Sequence, residues 1–460
     1  MDNPFRNLPS VNDLLETPAL KTVVERVSHN VVVDNVRTFL DDFRTKLKTK
    51  SGEFSVPSAA EMANSIATWI ASEDKPPLQP VINGTGVILH TGLGRAPLAE
   101  DAINAIADVS RGYASVEVSL ESGKRSHRID AVKKLLCELT GAEAAAVANN
   151  NAAATLLTLA AMATGQEVIV SRGELIEIGG SYRLPDVMSA SGAILKEVGT
   201  TNKTRVSDYE NAIHEETGAL MKVHTSNYIV CGFTEAASID ELVALGKKKN
   251  VPVIDDVGSG ALIDFSKYGL TDEPTIQHSI KAGADVILFS GDKLIGGPQC
   301  GIVVGKEKYI QKITKHPMMR AMRVDKMTLA GLAATLRLYR NIDEAEEKVP
   351  LLAMLSTTMD SLRSRAERML PRLQPLACFE SVEMVEAQSM LGGGSIPTQS
   401  VPTICLQLKP KSISVQQLSD QIRKSESPIF GRIQNDAYYL DLRTILPSQD
   451  LKVIEAISSL

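Results

Sequence analysis

Apolar residues fall at helical spacing from the start of the chain to about residue 75, and the pattern changes to short β-branched runs after Val81. Val11 to Leu20 shows the helical period. Val23 to Leu47 continues it through Val27, Val31, Val32, Val36, Leu40 and Phe43. Ser58-Ala-Ala-Glu61 has the spacing of a capping box and predicts a further helix through Met62, Ile66, Trp69 and Ile70. Glu73-Asp-Lys-Pro-Pro-Leu-Gln-Pro80 reads as a linker.

Beyond Val81, short apolar runs predict strands at Ala144–Ala148, Glu167–Val170, Ala193–Val198, Ala219–Val223, Val251–Ile254 and Val286–Phe289. Between them, helical patterns occupy Ala131–Leu139, Ala152–Ala163, Val206–His214, Ile239–Lys249 and Thr275–Ala282. Such alternation predicts an α/β domain with a mainly parallel sheet and flanking helices. After Arg340 one long helix is expected from Pro350 to Met369, ended by Pro371. Short strands near Val382–Val385, Val401–Leu408 and Tyr438–Leu442, with a helix at Val415–Lys424, then suggest a small α+β domain. Within it Gly392-Gly-Gly-Ser395 is a glycine-rich turn, either a plain loop or a backbone anion cradle. The expected division is therefore 1–75 (helical), 76–340 (α/β) and 341–460 (α+β).

Composition narrows the function classes. The 460 residues are 43% hydrophobic and 23% charged, with a formal charge of −6, so no global basic field points to nucleic acid. A local patch remains: Arg37, Arg44, Lys46, Lys48 and Lys50 form a basic run, either a solvated helix face or a phosphate-contacting arm. Five cysteines, Cys137, Cys231, Cys300, Cys378 and Cys405, include no CxxC pair and suggest a reducing compartment. The sequence has no basic-then-apolar leader and no stretch of membrane-spanning length, so a cytoplasmic location is expected. No His/Cys/Asp cluster has metal-ligand spacing, and no metal is expected.

Candidate chemistry lies just after the predicted strands, where α/β sheets bind their ligands. Asn149-Asn-Asn-Ala152 follows the first of these strands and opens a helix, whose free N–H groups suit a phosphate; a plain asparagine cap would leave the same trace. Asp255-Asp256 ends another strand. Two adjacent carboxylates repel, so one should point away or meet a cation; one of them could keep a pyridinium nitrogen protonated. Ser290-Gly-Asp-Lys293 follows Val286–Phe289 and precedes Gly296-Gly297-Pro298. Most lysines are exposed, but a lysine held at a buried strand end can be partly desolvated and so suited to imine formation. A phosphate-ready helix start, an acid and a lysine are what pyridoxal phosphate asks of its fold.

These segments, with Ile82–Pro97, Leu139–Ala145, Ser171-Arg-Gly-Glu174, Glu197–Asn202, Asp256-Val-Gly-Ser-Gly260, Ser290–Gln299 and Arg320-Ala-Met-Arg323, carry a resemblance over essentially the whole chain. The sequence resembles the bacterial selenocysteine synthases, L-seryl-tRNA(Sec) selenium transferases of the aspartate aminotransferase-like (fold type I) pyridoxal phosphate enzymes. The resemblance implies that Lys293 is the cofactor lysine and that Asp256, rather than Asp255, pairs with the ring nitrogen. It also implies that Asn149, Asn150, Asn151 and Ser290 hold the phosphate, and that Arg95, Arg320 and Arg323 form an anion site for selenophosphate with Asp292 beside it. The implied reaction is β-elimination of the seryl hydroxyl to dehydroalanyl-tRNA(Sec), then selenium addition. Residues 1–75 are implied to recognise tRNA(Sec), and the subunits to assemble into a ring, a homodecamer. A related lyase acting on a free amino acid or amino sugar phosphate is the alternative for the same Lys293 chemistry; the helical N-terminus and the Arg320/Arg323 pair favour tRNA.

Overall fold

The computed structural model describes every residue except 1–7, 50–55, 74, 75, 77, 181, 272, 393 and 394. Two compact units divide the chain, Met1–Pro80 and Val81–Leu460.

The first unit consists of the helices Val11–Leu15, Pro18–Arg26, His29–Thr49 and Ala59–Glu73. The single helix expected over Val11–Leu20 is broken, because Ser10 caps one short helix and Pro18 starts the next, where its missing N–H costs nothing. Leu14, Leu20, Val32, Val36, Leu40, Met62, Ile66 and Ile70 meet in one apolar core. The capping box is formed: Ser58 N–H donates to the Glu61 carboxylate at 2.8 Å, and Glu61 N–H donates to Ser58 Oγ at 3.3 Å. In the basic run, Arg37 lies 3.6 Å from Asp34 and Arg44 2.7 Å from Asp41, so acids on the same helix offset part of its charge. Lys50 and the Lys48 side chain lie outside the described residues.

A seven-stranded sheet organises the second unit. Its order is Ala144–Ala148, Gly301–Gly305, Val286–Ser290, Val253–Gly258, Thr217–Val223, Glu167–Ser171 and Ile194–Val198. Every neighbouring pair is parallel except those made by Gly301–Gly305, which runs antiparallel to both of its neighbours. Side chains alternate between faces with a period of two. Ile169, Leu220, Val253, Ile287 and Ile302 accordingly join one apolar core, while Val168, Val170, Ala219, Met221, Ile254, Leu288 and Val303 join the other. Helices cover both faces, which is why the strands read as unbroken apolar runs.

A four-stranded antiparallel sheet occupies the C-terminal part, in the order Phe379–Gly392, Ser395–Pro410, Ala437–Asp441 and Arg432–Gln434. Its first two strands are far longer than the sequence pattern suggests. Ile82–Asn83 pairs in parallel with Ile429–Phe430, and Ile82 packs in the core of this C-terminal sheet. The long helix expected over Pro350–Met369 is two, Pro350–Ser356 and Met359–Leu373. Thr357 leaves the first helix with an extended backbone, and Thr358, also extended, caps the second by accepting a hydrogen bond from Ser361 N–H. Pro371 sits inside the last turn of the second helix rather than stopping it at Met369. Of the glycine-rich turn, Gly393 and Gly394 lie outside the described residues. No helix among the described residues is long and apolar enough to cross a membrane.

Thr358→Ala removes one cap and is expected to lower stability by about 1 kcal/mol. A shift of the urea unfolding midpoint checks this; an unchanged midpoint would show that packing alone starts the second helix.

Candidate active site

The carboxyl ends of the central strands enclose a cavity of about 240 Å³. Strand Val253–Gly258 brings Asp256 to it, and the turn after Val286–Ser290 brings Ser290, Asp292 and Lys293. From the outer strand Ala144–Ala148 the chain passes into helix Asn151–Ala163, whose start contributes Asn150, Asn151 and Ala152. Arg95 reaches the same space with a left-handed backbone, φ 63°. Gly301 is required beside this helix start, because a Cβ there would lie 2.1 Å from the Asn150 carbonyl oxygen.

Lys293 is 7% exposed. Burial, helped by the nearby Arg95 charge, pulls its ammonium below the usual lysine range, while Asp256 and Asp292 oppose that fall. Burial likewise pushes the Asp256 carboxyl up. Against this, Asp256 accepts hydrogen bonds from Asn151 Nδ2 at 2.9 Å and Thr155 Oγ1 at 3.0 Å. Asn151 and Thr155 are one helical turn apart, so both reach the same carboxylate. Asp255 points to the other face of the strand, where Ser279 Oγ donates to it at 2.6 Å. Burial raises its carboxyl to about 6. The strand period thus resolves the repulsion foreseen between the two acids: only Asp256 lines the cavity.

Arg95 donates to Asp292 at 2.7 Å, so Asp292 lies beside Arg95 as the resemblance implies. Arg320 and Arg323 are not in this cavity. They line another, of about 780 Å³, together with Arg125, Arg128, Lys315 and His316. The expected three-arginine cluster is therefore divided within one chain. Asn149 also stands apart: it is exposed, and its N–H donates to the Met322 carbonyl at 2.9 Å, tying the segment before Arg323 to the end of strand Ala144–Ala148. The Asn150 side chain accepts from Ala153 N–H and caps the helix.

Sequence reasoning missed several residues of the site. Tyr182, Ser226 and Gln299 line the cavity, and no spacing rule marks them. His224 lines it too, its Nε2 3.6 Å from the buried Glu273 carboxylate, whose other oxygen accepts from Ser259. From the sequence His224 reads as a candidate for proton work or as a structural histidine, the latter preferred; its position directly after strand Thr217–Val223 puts it at the cavity.

Comparison with known proteins places this geometry. A family model described as L-seryl-tRNA selenium transferase matches residues 81–446, and one described as selenocysteine synthase N terminal matches residues 5–44. The chain belongs to the L-seryl-tRNA selenium transferase family. It is 46% identical over 98% of its length to the L-seryl-tRNA(Sec) selenium transferase of Carboxydothermus hydrogenoformans, covering 96% of that protein. It is 44% identical to the enzyme of the same name from Geobacter sulfurreducens, covering 99% of each. Among solved structures, a D-glucosaminate-6-phosphate ammonia-lyase matches with a TM-score of 0.57 at 20% identity, over 83% of this chain and 95% of that one. That likeness supports the fold: the aspartate aminotransferase-like class expected from the sequence is the one observed.

The folded chain holds the Asp255 proton more tightly than the unfolded chain does. Between about pH 3.8 and 6 its burial therefore costs more stability as pH rises. Asp255→Asn removes that cost. The variant is expected to gain stability relative to the parent as pH rises through this window, read from denaturant midpoints. A difference that does not vary with pH would mean that Asp255 ionises as freely folded as unfolded.

Proposed function

We propose that this protein converts L-seryl-tRNA(Sec) to L-selenocysteinyl-tRNA(Sec), using pyridoxal 5′-phosphate and selenophosphate. The observation that carries the reading is the meeting of Lys293, Asp256 and the Asn151 helix start in one cavity, in a chain 46% identical to an enzyme of that name.

The residues present fit the cofactor. Asp256, fixed by Asn151 and Thr155, would pair with a protonated ring nitrogen. Lys293, buried and biased toward its neutral amine, would take the aldehyde. Asn150, Asn151 and Ala152 at the helix start, with Ser290, would receive the phosphate. The Asn151 side-chain oxygen is buried without a hydrogen-bond partner, as suits a polar wall awaiting a ligand. When bound, pyridoxal phosphate supplies an electron sink for charge developing at the substrate Cα.

Lys293 Nζ, in the same cavity as Asp256, would take the Cα proton of the seryl group. The seryl hydroxyl would leave as water, giving a dehydroalanyl ester on the tRNA; the selenium of selenophosphate would then add at Cβ with a proton to Cα, and hydrolysis of the Se–P bond would release phosphate and leave the selenol. Arg95, oriented by Asp292, would meet the selenium-bearing anion with a charge-assisted bond. Arg320 and Arg323 would contribute to the same anion site from another copy of the chain, since in one copy they line a different cavity. Assembly into a ring, which the family resemblance implies, would supply that copy. Recognition of tRNA(Sec) falls to the helical N-terminal unit, over which the selenocysteine synthase N-terminal model matches. RNA recognition by shape suits a unit with few aromatic residues. The reaction belongs in the cytoplasm, where aminoacyl-tRNA is used.

Purified protein is expected to be yellow, and Lys293→Ala to lose the corresponding absorption band together with about 10²-fold or more in turnover. A colourless parent that takes up no pyridoxal phosphate would exclude the reading. Arg320→Ala is expected to keep formation of dehydroalanyl-tRNA and lose selenium incorporation, followed by mass analysis of the aminoacyl product. Loss of the elimination step instead would place Arg320 in seryl-tRNA positioning.

A further inference from the structure

A second cavity, of about 380 Å³, adjoins the Lys293 cavity and shares Val223 and His224 with it. Across the sheet, the proposed phosphate-binding helix start follows the outer strand Ala144–Ala148, and Lys293 and Asp256 follow central strands. His224 follows Thr217–Val223, on the opposite side of Asp256 from that helix start. The second cavity continues in this direction, to Ser171 and Gly173 at the end of the next strand. Its wall mixes polar side chains, among them Thr201, Asn202 and Glu235, with the apolar Val223, Ile229 and Val230.

The proposed substrate imposes a constraint on this space. The seryl amine must reach Lys293, and the seryl carboxyl is esterified to the ribose of the last nucleotide. That nucleoside must therefore lie within a few bonds of the Lys293 cavity. On the side of His224, away from the helix start, a further space of about 380 Å³ begins. At its edge, Asn202 Nδ2 donates to the carbonyl of Phe233 at 2.7 Å. The Phe233 side chain is 89% exposed, a large apolar ring with no packing role in this chain. Exposed aromatic rings are what proteins use to stack unpaired bases.

We propose that the cavity beyond His224 receives the 3′-terminal nucleoside of the aminoacyl-tRNA, with its base stacked on Phe233 at the cavity's edge. The proposal rests on the seryl-tRNA reading above. It gives the enzyme a means of seating the ester end of any serylated tRNA, separate from recognition of the tRNA body.

Steady-state kinetics on seryl-tRNA(Sec), with cofactor absorbance and gel filtration, test the proposal in the full-length protein. Because Phe233 is exposed, Phe233→Ala should fold normally. It is expected to raise KM roughly 5- to 150-fold, the range of one lost base stack, while kcat and the absorption band stay unchanged. Phe233→Trp should restore the parent KM. A KM unchanged in Phe233→Ala would overturn the proposal. So would a loss accompanied by a smaller assembly on gel filtration, which would assign Phe233 to a contact between copies. If the parent protein binds pyridoxal phosphate but leaves seryl-tRNA unconverted, it is the functional reading that fails, and the proposal falls with it.

Discussion

A lysine must be kept out of water, close enough to an acid to share one small ligand, and yet not be trapped in a direct ion pair with it. Much of the second unit serves that constraint. The parallel pairing of Val253–Gly258 with Val286–Ser290 sets Asp256 and Lys293 at the same edge of the sheet. Asn151 and Thr155 hydrogen-bond Asp256 from the side, so the carboxylate is satisfied without Lys293. Arg95 adds positive charge near the lysine, itself balanced by Asp292. Desolvation then biases Lys293 toward the free amine. Each device is ordinary, and their convergence in one cavity gives the site its chemistry.

The packing around the site follows from the same requirement. A cavity at strand ends survives only if the strands below it are rigid, and both faces of the seven-stranded sheet are buried in apolar cores. The antiparallel strand Gly301–Gly305 locks the lysine strand to Ala144–Ala148, and the lack of a side chain at Gly301 lets the helix start approach. The helix start, the acid and the turn that carries the lysine thereby issue from strands fixed with respect to one another by hydrogen bonds.

Much of this was legible in the sequence. Apolar runs marked six of the seven strands of the large sheet, since strands buried on both faces are continuously apolar. Gly301–Gly305 escaped because its three apolar residues form a short run between glycines, directly after the lysine turn. The break at Thr358 escaped because helical spacing resumes across it almost in phase. Lys293 and Asp256 were legible because each follows a recognisable strand. The nearness of Asp292 to Arg95 came from the family resemblance and not from any spacing. Tyr182 was not legible, because its place in the cavity depends on how a distant segment folds back. The separation of Arg320 and Arg323 from Arg95 is of the same kind: helical spacing puts the two on one face and says nothing about which cavity that face meets.

The central claim is that this buried lysine works on serine already esterified to tRNA(Sec). Incubating the purified protein with pyridoxal phosphate, seryl-tRNA(Sec) and selenophosphate, then identifying the amino acid on the recovered tRNA, tests it most directly. The account predicts selenocysteine on the tRNA, and no selenocysteine when selenophosphate is left out. Recovery of serine alone from protein that has bound the cofactor, with elimination seen instead on a free amino acid or amino sugar phosphate, would contradict it.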